Sequence, residues 1–318
     1  MAQLAAILNE TAPNKPYLAA YQLTTTDAHG AIASAAPLKV APTDDPAHPY
    51  LGVFHNPINT TQFATYLGYS NDLKTWHTLG EIHQPASQPD IRILADDSVL
   101  YAEEYNPSDR PYIRVQYYGN DGLSGLQAII ANPAVAPTNA LTLPGTPSAK
   151  ADGTPEFGRV NYGGSISSSG LEITHHDFHR GQRDLEQDGI LTDFKNWSDS
   201  SDTIINDLVT NADGNGKIGD RELFKVGSEV YEVVEAQVNP TSGNDYGSWR
   251  LFLIDRTTSA IRQLSPALRG GARSLGNPTV SFVTLPSGVP ALVFTCFVFG
   301  ANNGTTPPGG HVFVYPLE

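Results

Sequence analysis

The chain reads as an all-β protein: a single five-bladed β-propeller over 1–318, with four-stranded antiparallel blades. Three observations predict this. First, its 29 glycines and 24 prolines are scattered in short clusters along 318 residues, a punctuation that favours many strands and turns over long helices. Second, its apolar runs are short, as at 229–235 and 249–254, which flank a turn rich in Asn, Gly and Asp and so read as a hairpin. Third, four similar beginnings recur: Gln88-Pro89-Asp90-Ile91, Thr154-Pro155-Glu156-Phe157, Gly219-Asp220-Arg221-Glu222 and Asn277-Pro278-Thr279-Val280. They lie 66, 65 and 58 residues apart, which fits one four-stranded sheet per repeat. With the N-terminal strands they sum to five sheets. A two-layer sandwich accommodates the same strand count.

In chain order, 1–15 reads as a loose arm or one short helical turn, and 17–23 as the first strand. Strands follow at 50–54 and 63–69. The bend Ser70-Asn71-Asp72-Leu73-Lys74-Thr75-Trp76 comes next, its tryptophan expected between sheets. The second unit holds strands at 91–94, 99–103 and 112–118. The third holds strands at 157–161 and 171–178, then a polar bend ending in Leu191-Thr192-Asp193-Phe194-Lys195-Asn196-Trp197. A short helix at 202–209 and an inserted loop over 198–222 are expected before the fourth unit. The fifth holds strands at 280–284, 291–299 and 311–315.

The formal charge is −14, with only 19 basic residues, so the repeated Lys/Arg contacts of a nucleic-acid binder are missing. No run of 18 apolar residues argues for a membrane span. The single cysteine, Cys296, lies inside Ala291-Leu292-Val293-Phe294-Thr295-Cys296-Phe297 and reads as a buried, inert thiol. The N-terminus has no basic segment ahead of its short apolar stretch. That leaves either a cytoplasmic chain or a secreted one whose leader has been removed. Sequons at Asn9, Asn59, Asn196 and Asn303 tilt the expectation toward secretion.

Five radial sheets bring their innermost strands to a common axis, so acids distant in sequence gather in one hollow. Asp90, Glu156 and Asp220 begin three successive inner strands. Glu103, Glu104, His175, His176, Asp177 and Glu235 follow on the next strands. Because side chains alternate along a strand, Glu103 and Glu104 cannot both face inward; Glu104, at the strand's end, is preferred. Arg92, Arg221 and Arg250 lie beside these acids and can hold carboxylates ionised. Gln237 is a further polar candidate, and Tyr105, Tyr118, Trp197 and Trp249 are candidate platforms for a sugar ring. The structural alternative makes Asp220 and Arg221 an ion pair closing a sheet and the tryptophans inter-blade core.

Two clusters suggest metal. Asn211, Asp213, Asn215, Lys217 (through its carbonyl) and Glu222 follow the ligand order of a calcium loop, with Gly216 at the turn. The strand-like sequence after the loop departs from a complete hand. His175, His176, Asp177 and His179 are suitable zinc ligands. On a strand, however, His175 and His179 stand about 13 Å apart, too far for one ion without a bend. Calcium is the metal expected, with no organic cofactor.

The unit spacing, the phrase Leu67-Gly68-Tyr69-Ser70-Asn71-Asp72-Leu73-Lys74-Thr75-Trp76 and the start Gln88-Pro89-Asp90-Ile91 resemble five-bladed β-propeller glycoside hydrolases, the group of arabinanases, arabinofuranosidases, xylosidases and fructan-active enzymes. The resemblance implies three acids from separate blades in an axial pocket, serving as base or nucleophile, pKa modulator and acid. It makes Asp90 the modulator and Glu156 or Glu235 the acid. The base should come from the first blade, where Asp45 is the nearest aspartate and begins no inner strand. A looser likeness in Gly219-Asp220-Arg221 and Glu235-Ala236-Gln237 favours Asp220 and Glu235 for the site.

The leading expectation is therefore a monomeric glycoside hydrolase acting on a plant or microbial carbohydrate, with paired carboxylates dividing the work of acid and base. Two alternatives stand beside it. One is a polysaccharide lyase using His176 or Tyr105 as base, with Arg92 or Arg221 neutralising a uronate. The other is a sugar-binding propeller without turnover.

Overall fold

The computed structural model describes residues 1–9, 17–20, 26–27, 30–31, 39–59, 62–107, 111–119, 124–143, 151–178, 183–242, 245–266, 268 and 270–317. Five four-stranded antiparallel sheets stand as blades around one axis. Blade I consists of Lys39–Pro42, Tyr50–Pro57, Phe63–Ser70 and Trp76–His83. Blade II has Ala86–Ile93, Val99–Tyr105, Tyr112–Tyr118 and Asn139–Thr142. Blade III has Ala151–Asn161, Gly170–Phe178, Leu185–Thr192 and Asn196–Ser201. Blade IV has Ile218–Val226, Glu229–Gln237, Trp249–Asp255 and Ala260–Leu264. Blade V has Leu275–Thr284, Pro290–Val298 and Gly309–Pro316, and its fourth strand comes from the other end of the chain. Tyr17–Ala20 pairs with it antiparallel, Tyr17 opposite Val314 and Ala20 opposite His311. The first expected strand thus closes the last blade.

Four inner strands begin with a β-bulge, at Ser87/Asp90, Gly153/Glu156, Ile218/Arg221 and Gly276/Thr279. These are the repeated beginnings seen in the sequence. In three of them the residue before proline, Gln88, Thr154 or Asn277, sits at φ 48°, 46° or 47°. A bulge bends the strand and re-aims the side chains that follow it. Here it turns the start of each strand toward the axis.

Apolar clusters fill the gaps between blades. Trp76 is buried and meets Phe54 edge to face at 5.8 Å, as the bend before it predicts. Cys296 is buried and its thiol pKa is pushed up by desolvation, in keeping with an inert role. Of the opening arm, expected as a loose arm or one short helical turn, residues 1–9 contain a short helix and 10–15 lie outside the described residues. Helix Ala2–Leu8 buries Leu4, Ala5 and Leu8 in the cluster that contains Phe224, Leu253 and Phe294.

The stretch 198–222 is not an inserted loop. It holds the end of blade III, helix Thr203–Asn211 capped by the Asp202 side chain, and the start of blade IV. The expected polar bend after 178 is also largely strand, Leu185–Thr192. Its alternating Glu, Asp and Gly hid the pattern, because these acids face a buried cation instead of water.

That cation is Arg221, 2% exposed between blades III and IV. Its Nη1 donates to Asp202 and Glu232 at 2.9 Å each. Its Nη2 donates to Asp188 and the Gln187 carbonyl at 2.7 Å each, and Nε lies 2.8 Å from Glu186. Arg256 joins through Asp202 and Glu232. Removing one partner of a buried ion cluster leaves charge uncompensated, so Arg221→Met is expected to cost about 3–5 kcal/mol in urea unfolding, or to prevent folding. Arg159→Gln, at an exposed pair 3.9 Å from Glu172, is expected to change stability by roughly 0.5 kcal/mol or less. Equal unfolding midpoints for the two variants would refute the assignment.

Candidate functional site

One residue from each blade meets at the axis. Asp90, Glu156 and Asp220 line a single narrow cavity, completed by Lys39 of blade I and Thr279 of blade V. Its volume is about 10 Å³, room for one water and not for a sugar ring. The three acids and Glu235 are all buried.

Their hydrogen bonds differ. Asp90 is tied on both oxygens, accepting from the Ile91 N–H at 2.8 Å and the Phe157 N–H at 2.7 Å, which fastens blade II to blade III. Glu156 Oε2 has no hydrogen-bond partner among the described residues. Asp220 accepts from the Arg221 N–H at 3.0 Å. Glu235, on the second strand of blade IV, accepts from the Asp220 N–H at 3.1 Å and the Asn277 N–H at 2.6 Å. It therefore stands directly behind the axial ring. Lys39 pairs with Glu222, which also lies 3.4 Å from Arg92.

Burial drives every one of these carboxyls toward its protonated form. Desolvation raises Asp90, against the pull of Lys39 and Arg92. It raises Glu156 well above the usual range, with Glu222 adding to the rise and Lys39 opposing it. Desolvation and the neighbouring Glu235 do the same to Asp220. Glu235 is pushed up to about 7 by desolvation, which its two backbone N–H donors only partly offset. All four carboxyls are thus shifted the same way, with burial as the first cause in each.

Above the cavity, Asn277 Nδ2 donates to Gln88 Oε1 at 2.6 Å, joining blades V and II across the axis. Beside it stands an aromatic cluster. Phe299 lies 5.3 Å from Tyr246, 5.4 Å from Phe297 and 6.5 Å from Trp249 between ring centroids. Tyr246 is 56% exposed. The cluster reaches the acids: a Cβ on Gly276 would stand 2.4 Å from Glu235 Oε2 and 2.8 Å from the Phe299 ring. Only glycine admits both there.

The other sequence candidates are dispersed. Glu104 accepts from Ser87, Asn106 and the Thr154 N–H, so it braces the start of blade III. His176 contacts Thr154 Oγ1 at 2.6 Å and packs on Phe178; desolvation pushes its pKa down to about 3. Tyr105 is covered by the Arg114 guanidinium at 4.1 Å from its ring centroid. Arg250 is bound to the carbonyls of Gly247 and Trp249, and Gln237 bridges the Lys217 N–H and the Asp245 carbonyl. Arg221 faces away into its ion cluster, contrary to expectation, because four carboxylates surround it there. Arg92 points down the axis to Glu222 and the Phe157 carbonyl. Asp45 sits in the hairpin at the opposite end of the strand that starts with Lys39, bound to His48. The first blade therefore offers a lysine where the resemblance implies an aspartate.

The calcium-like residues are drawn to separate partners. Asn211 ends a helix, Asn215 is bonded to Asn239 and the Lys217 carbonyl accepts from Gln237 N–H. Glu222 is buried against Lys39 at the axis, and Asp213 takes a left-handed turn at φ 70°. Among the described residues no group of three or more His, Cys, Asp or Glu is disposed to hold a metal ion; His179 lies outside them. The sequence reading missed Lys39, Gln88, Asn277, Tyr246 and Phe299, and it gave Glu222 to the calcium loop instead of the axis. For Gln88 and Asn277 the signal was present, since both precede a proline at a repeated start.

No protein-family model and no curated protein matches the sequence. Solved structures do match in fold. An α-L-arabinanase of Penicillium chrysogenum, solved with arabinobiose, aligns at TM-score 0.54 and 14% identity over 95% of this chain and 99% of its own. An endo-arabinase of Bacteroides thetaiotaomicron gives 0.52 and 10% over 89% and 97%. A β-fructofuranosidase of Bombyx mori gives 0.51 and 10% over 100% and 68%. The five-bladed propeller expected from the sequence is thus the fold of these glycosidases. Among the described residues no helix is long and apolar enough to cross a membrane.

Glu235 makes stability depend on pH. Its carboxyl keeps its proton in the fold up to about pH 7 but loses it in the unfolded chain near the ordinary value. Between those points the folded state binds more protons, so stability falls as pH rises. The shift corresponds to about 3 kcal/mol, and the raised Asp90, Glu156 and Asp220 act in the same direction. Urea midpoints should decline from about pH 4.5 to pH 7, and Glu235→Gln should flatten part of that slope. A midpoint that rises over this interval would contradict the assignment.

Proposed function

We propose that the chain is a glycoside hydrolase whose chemistry is done by Glu156 and Glu235 at the top of the axis. The observation that carries the reading is the convergence of Asp90, Glu156 and Asp220 from three successive blades on one cavity, with Glu235 behind it and an aromatic face alongside. Hydrolysis of a glycoside requires a protonated carboxyl for the leaving oxygen and an ionised one for water or the anomeric carbon. Glu235, influenced by burial and two backbone N–H groups and by no nearby cation, keeps its proton near neutrality and is assigned as the acid. Glu156 is also held toward its protonated form by burial and Glu222, with Lys39 opposing them, so it acts as base only after giving up that proton; one of its oxygens has no hydrogen-bond partner among the described residues. A cavity of one-water size beside that oxygen suits a base. Asp90, fixed on both oxygens, holds the geometry and raises the proton affinity of its neighbours.

A sugar ring reaches these groups by parting the Gln88–Asn277 bridge and stacking on Tyr246 or Phe299. The solved structures that share the fold act on arabinan or a fructofuranoside, so furanose polymers and oligosaccharides are the first substrates to test. A polymer of this kind is met outside the cell, which agrees with the sequons in favouring secretion. The lyase alternative loses support from the geometry, because Arg221 is held by its own carboxylates and Tyr105 is covered by Arg114.

The test measures reducing sugar released from arabinan, xylan, fructan and uronate polymers. Glu156→Gln and Glu235→Gln are each expected to lower kcat by about 10²–10⁴ with KM little changed. Tyr246→Ala should raise KM. The rate should fall as pH rises past about 7, following loss of the Glu235 proton. Products absorbing in the near ultraviolet would instead establish a lyase. Binding to all variants without product from any polymer would establish a sugar-binding propeller.

A further inference from the structure

The axis has a second hollow, at the other end of the inner strands. Beyond the Lys39–Glu222 pair the channel widens into a funnel of about 440 Å³, within the range of small-molecule sites. Its charge runs against that of the whole chain, which carries 33 acids and 19 Lys plus Arg. Lys39, Arg92, Arg159 and Lys225 line the funnel, whereas Glu222 is its one acid. Lys39 is closely paired with Glu222, which Arg92 shares at 3.4 Å, so a single acid faces four cations.

Arg92 uses Nη2 on the Phe157 carbonyl at 2.6 Å, and its Nε has no hydrogen-bond partner among the described residues. Arg159 is 67% exposed and only 3.9 Å from a carboxylate oxygen of Glu172, a weak commitment. Of the acids on the neighbouring hairpins, Asp45 is bonded to His48, and Asp96 to Ser98 and Tyr162. Low-dielectric walls focus the field of the cations into the hollow. These walls are apolar: Ile91, Val280, Phe224 and Phe282. Phe282 is 39% exposed and stands 6.4 Å from Phe224 between ring centroids, so the funnel pairs a charged floor with an aromatic rim.

We propose that this funnel binds a small ring compound bearing one carboxylate or phosphate, such as a sugar acid or a sugar phosphate. The anion meets Arg92, Arg159 and Lys225, and the ring lies against Phe224 and Phe282. Arg is suited to planar bidentate recognition of both groups, and Lys acts as a point charge. The site is separate from the acid cavity and does not rest on the hydrolase reading.

Calorimetry on the full chain with glucuronate, glucose 1-phosphate, inorganic phosphate and neutral glucose tests this. Glucuronate or glucose 1-phosphate is expected to bind, and which of them binds more tightly identifies the charged group. Glucose is expected to give no heat. The double variant Arg159→Gln/Lys225→Gln, at exposed positions, should keep its melting temperature and weaken binding roughly tenfold. Phe282→Ala should weaken the ring compounds and leave inorganic phosphate unaffected. Asp220→Asn should bind as the parent does, even where it abolishes hydrolysis. The proposal is overturned by equal binding of glucose, by unchanged affinity in the double variant, by loss of binding in Asp220→Asn, or by no heat from either charged sugar.

Discussion

The constraint on which the molecule depends is closure of the ring. Twisted sheets packed side by side accumulate rotation, and here the sequence of blades is locked when Tyr17–Ala20 adds to the edge of Gly309–Pro316. That ladder joins the two ends of the chain and covers the edge of Gly309–Pro316. Once the ring is closed, the five inner strands have no freedom to separate, and whatever side chains begin them must share the space at the axis. The bulges at four of those starts set which side chains these are.

Closure has an electrostatic consequence. Three acids from blades II, III and IV are forced together with a single lysine from blade I and a threonine from blade V. The Lys39–Glu222 pair, one step further along the same strands, divides the channel in two. On one side desolvation and like charge hold protons on carboxyls. On the other, arginine and lysine dominate. Lys39 lines both hollows, so the two share one charge while differing in sign, size and lining.

Much of this was legible in the sequence, and the failures have physical reasons. The repeated Gln88-Pro89-Asp90 and Thr154-Pro155-Glu156 starts announced the ring and the axial acids, because a bulge followed by proline is a local feature written in a few residues. Arg221 was misread since its environment is made by side chains from Asp188, Asp202 and Glu232, none of which adjacency in sequence reveals. Glu222 fitted a calcium loop by spacing, yet it belongs to a strand whose face is fixed by ring closure. Lys39 carried no signal at all. It lies in an Ala- and Pro-rich stretch, and its place opposite three acids exists only once blade I is set in the circle. Tyr246 and Phe299 come from loops of different blades and become one platform only through packing.

Burying four carboxyls where apolar side chains would fill the same gap opposes stability, so their presence asks for a reason at each position. For Asp90 a structural reason suffices: both oxygens hold backbone N–H groups, one of them across the blade boundary. Glu235 similarly accepts from two N–H groups that the bulges of blades IV and V leave free, one on each oxygen, and a glutamine, with a single acceptor oxygen, could not accept both. Glu156 is the position no packing account covers. One of its oxygens is buried without a hydrogen-bond partner among the described residues, next to a void of one-water size, whereas a glutamine or leucine would be cheaper to fold. Under the proposed function a carboxyl retained in that setting is the group that holds the water, and this separates Glu156 from Asp90, whose oxygens brace the ring.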